Sequence, residues 1–229
     1  MCVTPPRHTG PMMLQTRCAG CDAPGVAVCT TCRFALLGRR PPESADGIRA
    51  AIPFVGRARD VVLGLKYRNR RQVARHLAGL VVNAVVSDLD GQIDRRIDLV
   101  TWAPTSRARR RSRGFDQGEL VARYVARQLR VPARRLLERS GDQPSQTGRS
   151  RRERLAGVSF RARPGLDGAR VLVVDDVVTT GATLRSARRA LTDAGASAVW
   201  LYAVAATPSG VSSARRPNER HPTVVDVAA

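Results

Sequence analysis

Apolar and polar positions alternate along this chain in two distinct periods. Val171-Leu172-Val173-Val174 is an unbroken apolar run, the pattern of a parallel strand covered on both faces. Shorter runs at Ile52–Val55, Ile97–Trp102 and Ala198–Val204 predict further strands, and Leu136–Arg139 an edge strand. Between them the spacing becomes helical. Val61, Val62 and Leu65 share a face over 58–67; Val73, Leu77, Leu80, Val81, Ala84 and Val85 recur over 73–89; Leu120–Leu129 is amphipathic. These elements predict an α/β fold, a parallel sheet flanked by helices. Pro41–Ser44 reads as a linker, Ser140–Gly157 as a polar loop and Pro208–Ala229 as a tail. The expected organisation is a disordered start (1–17), a small cysteine module (18–40), one α/β domain (45–206) and a disordered end (207–229).

The residues after the apolar run carry the chemistry. Asp175 and Asp176 fall toward the C-terminal end of the strand, where open α/β sheets bind ligands. Thr179, Thr180, Gly181, Ala182 and Thr183 follow, offering hydroxyls and amides at the start of a helix through Leu184, Ala187 and Leu191. Such a helix start suits an anion. Two carboxylates repel a phosphate, so they point instead to sugar hydroxyls or to magnesium held through water. A ribose 5-phosphate meets both demands. Receiver domains and ATPases also end strands in acids, but neither requires Thr-Thr-Gly-x-Thr next, and the chain has no G-x-x-x-x-G-K-[ST] loop. At the end of the 97–102 strand, Thr105, Ser106 and Arg107 can hold a second phosphate group.

Cysteine spacing adds a second centre. Cys18-x-x-Cys21 and Cys29-x-x-Cys32 are paired knuckles, and four thiolates at this spacing suit a structural zinc ion. Cys2 is left over and His8 lies outside the cluster. His76, on the 73–89 helix, reads as a surface or satisfied residue. Disulfides are disfavoured in the cytoplasm, which the absence of a signal-like start and of any apolar run near ~20 residues leads us to expect, with no membrane span.

Charge changes the picture less than its size suggests. The net charge is +20, yet Lys66 is the sole lysine beside 38 arginines, the mark of a genome favouring Arg codons. Between Arg107 and Arg163, 17 arginines face five acids, so pyrophosphate or nucleic acid can both be served. Aromatic residues are only 4%, which leaves no stacking platform for single strands in view.

The 171–183 stretch resembles the phosphoribosyl pyrophosphate (PRPP) fingerprint of type I phosphoribosyltransferases. With Arg113-Gly114-Phe115-Asp116-Gln117 and the four cysteines, the chain from Cys18 to about Ala206 resembles the ComF family of competence-associated, phosphoribosyltransferase-like proteins. The resemblance implies that Asp175 and Asp176 bind the ribose diol and Thr179 to Thr183 wrap the 5-phosphate. Thr105, Ser106 and Arg107 would receive pyrophosphate, with magnesium accompanying PRPP. Gln146, Arg151, Arg152 and Arg154 resemble the family's hood pattern, although Ala156 stands where an Asn is common. Asp116 likewise stands where the family tends to have Asn, which questions any role needing an amide donor. Two functions follow from the resemblance. One is transfer of the phosphoribosyl group with release of pyrophosphate. The other is a non-catalytic accessory of DNA uptake, binding a nucleotide-like molecule or single-stranded DNA beside a helicase-like partner. The acceptor and the oligomeric state are left open.

Overall fold

In the computed structural model, residues 16–38, 40–91, 93–140 and 158–208 of the 229 are described. Cys2, His8, the hood residues Gln146, Arg151, Arg152, Arg154 and Ala156, and nearly all of both expected disordered ends lie outside them. The chain runs α1 (Thr30–Ala35), β1 (Ile48–Pro53), α2 (Gly56–Tyr67), a 3-10 turn (Arg71–Val73), α3 (Ala74–Asp88), α4 (Ile93–Arg96) and β2 (Leu99–Trp102). It continues through α5 (Arg107–Arg113), α6 (Gln117–Leu129), β3 (Leu137–Arg139), β4 (Phe160–Ala162), β5 (Arg170–Val178), α7 (Ala182–Asp193) and β6 (Ala198–Ala206).

Four strands form a parallel sheet in the order β1-β6-β5-β2, with Val173 opposite Leu201 and Val174 opposite Trp102. The apolar run in β5 divides between two cores, as a two-sided strand must. Leu172 and Val174 pack with α2, α3 and α6 on one face; Val171 and Val173 pack with Leu184, Ala187 and Leu191 of α7 on the other. Strands β3 and β4 pair antiparallel as a separate ribbon, and Ser140 N–H donates to the Ser159 carbonyl at its end.

Among the differences from the sequence pattern, two bear on how the sheet and the basic run are built. The first strand spans Ile48–Pro53 rather than Ile52–Val55. Ala50 and Ala51 give a weak apolar signal and Arg49 breaks it, but pairing with β6 buries this backbone, and Arg49 reaches Glu43 at 2.6 Å and Asp88 at 3.4 Å. The basic run 107–113 is a helix: Ser106 accepts from the Arg109 N–H at its start, and Gly114 at φ 75° ends it.

Candidate functional site at the end of β5

β5 continues four residues beyond Val174, the last of its residues paired with β2 (to Trp102), while remaining paired to β6 as far as Val178. Asp175 and Asp176 therefore stand beside the notch where β2 turns away, rather than past the strand's end. The chain leaves β5 through α7 toward β6, with β2 on the opposite side, so this notch is where strand connections diverge.

Both carboxylates are half-buried. Asp175 accepts the Asp176 backbone N–H at 2.8 Å, and Asp176 pairs with Lys66 Nζ of α2 at 3.0 Å. Burial, then the neighbouring Asp176, pushes the Asp175 carboxyl up to about 7; the Asp176 amide and Lys66 oppose that rise, and Asp116 adds to it. Downstream, Thr179, Thr180 and Ala182 are exposed and Thr183 partly so. Gly181 turns with φ 77° at the cap of α7. A Cβ there would lie 2.6 Å from Ile48 Cδ1, so the turn needs glycine for both its backbone angle and its seat on β1. Thr180 Oγ1 accepts from the Ala182 N–H at 3.5 Å. The result is a hydroxyl-lined turn at a helix start next to two carboxylates, suited to a ligand with phosphate at one end and hydroxyls at the other.

The Thr105–Arg107 turn is pinned by Asp116, which is 7% exposed. Its Oδ2 accepts the Thr105 N–H at 2.8 Å and its Oδ1 the Glu119 N–H at 3.2 Å, capping α6. Burial raises its pKa above the ordinary carboxyl value, against these two donations. Each of these contacts uses Asp116 as an acceptor, so no amide donor is needed for them. The rest of the 113–117 segment is a brace. Arg113 donates to Gln117 Oε1 at 2.9 Å and to the Tyr67 hydroxyl at 3.2 Å, with its guanidinium 4.9 Å from the Tyr67 ring centre. Arg71 stacks over Phe115 at 4.4 Å. The end of α2 is thereby joined to the α5–α6 corner, where Arg107, Arg109, Arg110 and Arg111 are exposed.

Sequence reasoning missed Lys66, Tyr67 and the capping function of Asp116. Two signals were available: Asp116 precedes Glu119 by three positions, as at a capped helix start, and Lys66 is a lone lysine among arginines.

The second centre is the cysteine cluster. The sulfurs of Cys18, Cys21, Cys29 and Cys32 lie within 4.8 Å of one another, with Cys21 and Cys29 3.6 Å apart. Tetrahedral coordination at about 2.3 Å puts sulfurs ~3.8 Å apart, so the donor set can hold a metal ion. Burial raises the Cys18 thiol, but backbone N–H groups of Cys21, Cys29 and Gly20 outweigh it and bring it down to about 6. Burial pushes Cys32 up to about 12. Cys18, Ala19, Cys32 and Leu36 share one core with Val61, Val62 and Leu65 of α2. A Cβ on Gly64 would meet the Ala19 carbonyl at 2.2 Å, and Arg68 donates to the Ala19 and Gly20 carbonyls. The cysteine module thus sits directly on the helix that carries Lys66.

A groove of about 1160 Å³ lies between α3 and α6, lined by Arg33, Arg75, His76, Tyr124 and Arg127 among others. Burial, with Arg33 and Arg75, favours neutral His76, which lies outside the cysteine cluster. Among the described residues no helix is long and apolar enough to cross a membrane.

The family model of the phosphoribosyl transferase domain matches residues 116–226, so the second half of the chain, with β5, the acid pair and the 179–183 turn, is of that class. The chain is 30% identical over 123 residues to Competence protein ComFC of Bacillus subtilis (strain 168), covering 52% of this chain and 50% of that one. It is 27% identical over 147 residues to DNA utilization protein YhgH of Escherichia coli (strain K12), covering 62% and 64%. It spans between half and just under two thirds of these relatives' length. The allosteric regulatory enzyme of purine biosynthesis aligns at 22% identity and TM-score 0.41, over 59% of this chain and 26% of that one. The domain match and the two relatives together support a phosphoribosyltransferase-like protein similar to the ComF family.

Proposed function

We propose that the notch at β5 binds PRPP, or a related ribose 5-phosphate ligand, and that the protein transfers the phosphoribosyl group with release of pyrophosphate. One observation carries the reading: a half-buried carboxylate pair beside a diverging strand, followed without interruption by a hydroxyl-lined turn on a helix start. In this reading Asp175 and Asp176 accept from the ribose hydroxyls and hold the ring, while Thr179 to Thr183 donate to the 5-phosphate. The bond from C1 to the pyrophosphate oxygen breaks, the electron pair leaves with pyrophosphate, and an acceptor forms the new bond at C1 and gives up its proton. Positive charge builds on the ring during this step, and the adjacent acids stabilise it. Thr105, Ser106 and Arg107 receive the leaving group. Magnesium, bound with PRPP, supplies charge neutralisation of the pyrophosphate.

The four-cysteine set fits zinc, with no open position for chemistry, so its role is to hold the amino end against α2. The names of the two relatives, with the exposed arginines of α5, favour a second reading, in which the site senses a nucleotide within a DNA-handling process. Calorimetric titration with PRPP, with and without magnesium, and with single-stranded DNA tests both. The first reading expects PRPP to bind more tightly with magnesium and pyrophosphate to be released once an acceptor is supplied. DNA binding without PRPP binding would favour the second and overturn the first.

A further inference from the structure

We propose that Lys66 is a working residue of the β5 site, one that changes partner when the ligand binds. In the free protein its ammonium neutralises Asp176; once the ribose hydroxyls occupy the carboxylates, it turns to the pyrophosphate of the ligand. The inference rests on the PRPP reading above.

Composition marks the residue before geometry does. A chain with 38 arginines and one lysine meets its other needs for side-chain cations with guanidinium. The exception stands at the candidate site, on the last turn of α2, paired with Asp176 at 3.0 Å. Among the described ion pairs it is the most sheltered, its side chains 15% and 17% exposed, against 25% and 20% for Arg49–Asp88 and 42% and 47% for Arg185–Asp46. Shelter from water makes its charge count for more.

Three acids act on one another here: Asp116 and Asp176 both raise Asp175, and Lys66 is the cation that opposes them. A ligand with ribose hydroxyls and several phosphate charges reverses that balance. Its hydroxyls satisfy the carboxylates, while its phosphates arrive beside an ammonium released from Asp176. The pyrophosphate side is the one to which this end of α2 is tied, because the Tyr67 hydroxyl, next to Lys66, accepts from Arg113 of α5, the helix that follows the Thr105 turn proposed to receive that group.

The backbone around Lys66 does not have to move. Gly64 is pressed against Ala19, Arg68 is tied to the Ala19 and Gly20 carbonyls, and Tyr67 lies under Arg113. What remains free is the four-carbon stem with a compact, rotatable head group. A planar guanidinium would instead fork onto the carboxylate and hold it. That difference explains why arginine does not stand here.

The test compares wild type, Lys66→Arg and Lys66→Gln by calorimetric titration with PRPP and, separately, with ribose 5-phosphate, alongside thermal unfolding of the free proteins. Both variants should lose about tenfold or more in PRPP affinity, the scale of one charge-assisted hydrogen bond. Ribose 5-phosphate affinity should change by no more than about twofold, since that ligand lacks the group Lys66 turns to. Lys66→Arg keeps the charge, and should keep the wild-type melting temperature while still losing PRPP affinity, so the test stands even if Lys66→Gln folds poorly. Equal losses for both ligands, or wild-type PRPP affinity in Lys66→Arg, would overturn the inference while leaving the PRPP reading in place. Failure of wild type to bind PRPP would remove both.

Discussion

Replacing Asp175 with Asn should stabilise the free protein at neutral pH while disabling its site. An ordinary carboxyl gives up its proton near 3.8, whereas Asp175 holds its proton until about 7 in the fold. Between those two values the folded state binds a proton that the unfolded chain does not. Stability must therefore fall as pH rises through that window and be flat above it. A gap of about three pH units, at ~1.4 kcal/mol each, sets an upper bound of ~4 kcal/mol. Asp175 and Asp176 titrate as a pair and Lys66 offsets part of their repulsion, so we take about half, ~2 kcal/mol. Asn has the shape of the protonated acid and never pays this electrostatic cost. In urea unfolding followed by circular dichroism between pH 4 and 8, the variant should match wild type near pH 4 and exceed it by ~2 kcal/mol at pH 8. That corresponds to a melting temperature higher by ~4–8 °C for a chain of this size. PRPP affinity should fall at least tenfold, because an amide replaces an acceptor for a ribose hydroxyl. A variant less stable than wild type at pH 8, or one with the same pH slope, would refute the electrostatic account of the acid pair. Unchanged PRPP affinity would refute its assignment to the ribose.

Two further outcomes follow from the same geometry. Elemental analysis should find one zinc per chain, and Cys21→Ser should lose it. Loss of metal should also lower the thermal stability of the whole chain, since Cys18, Cys32 and Leu36 share a core with α2, and an unchanged melting temperature would count against that coupling. Asp116→Ala should cost ~1–2 kcal/mol in urea unfolding, the scale of a lost helix cap, because it removes the acceptor of both the Glu119 and the Thr105 N–H groups; no loss would mean that the cap is not formed.

Much of this protein was legible one residue type at a time. Val171–Val174 announces a strand buried on both faces because every position is apolar, and the β5 strand is there. The helical periodicity of 73–89 appears as the turn at Arg71–Val73 and α3, and the cysteine spacing brings four sulfurs together because each knuckle is closed locally. The sequence pattern placed β1 four residues late and showed α5 only as a run of charge, since alanine and arginine carry little apolar signal. Tertiary pairing with β6, and the local cap and stop at Ser106 and Gly114, decide those segments. The site itself divides in the same way. Asp175, Asp176 and the 179–183 turn are contiguous, so their chemistry can be read in order along the chain. Lys66, Tyr67 and Asp116 come to the site from α2 and the α5–α6 corner, separated from β5 by dozens of residues. Which cation meets Asp176 depends on strand order and on how closely α2 seats against the cysteine module. Those are products of packing between distant segments, and local periodicity holds no record of them.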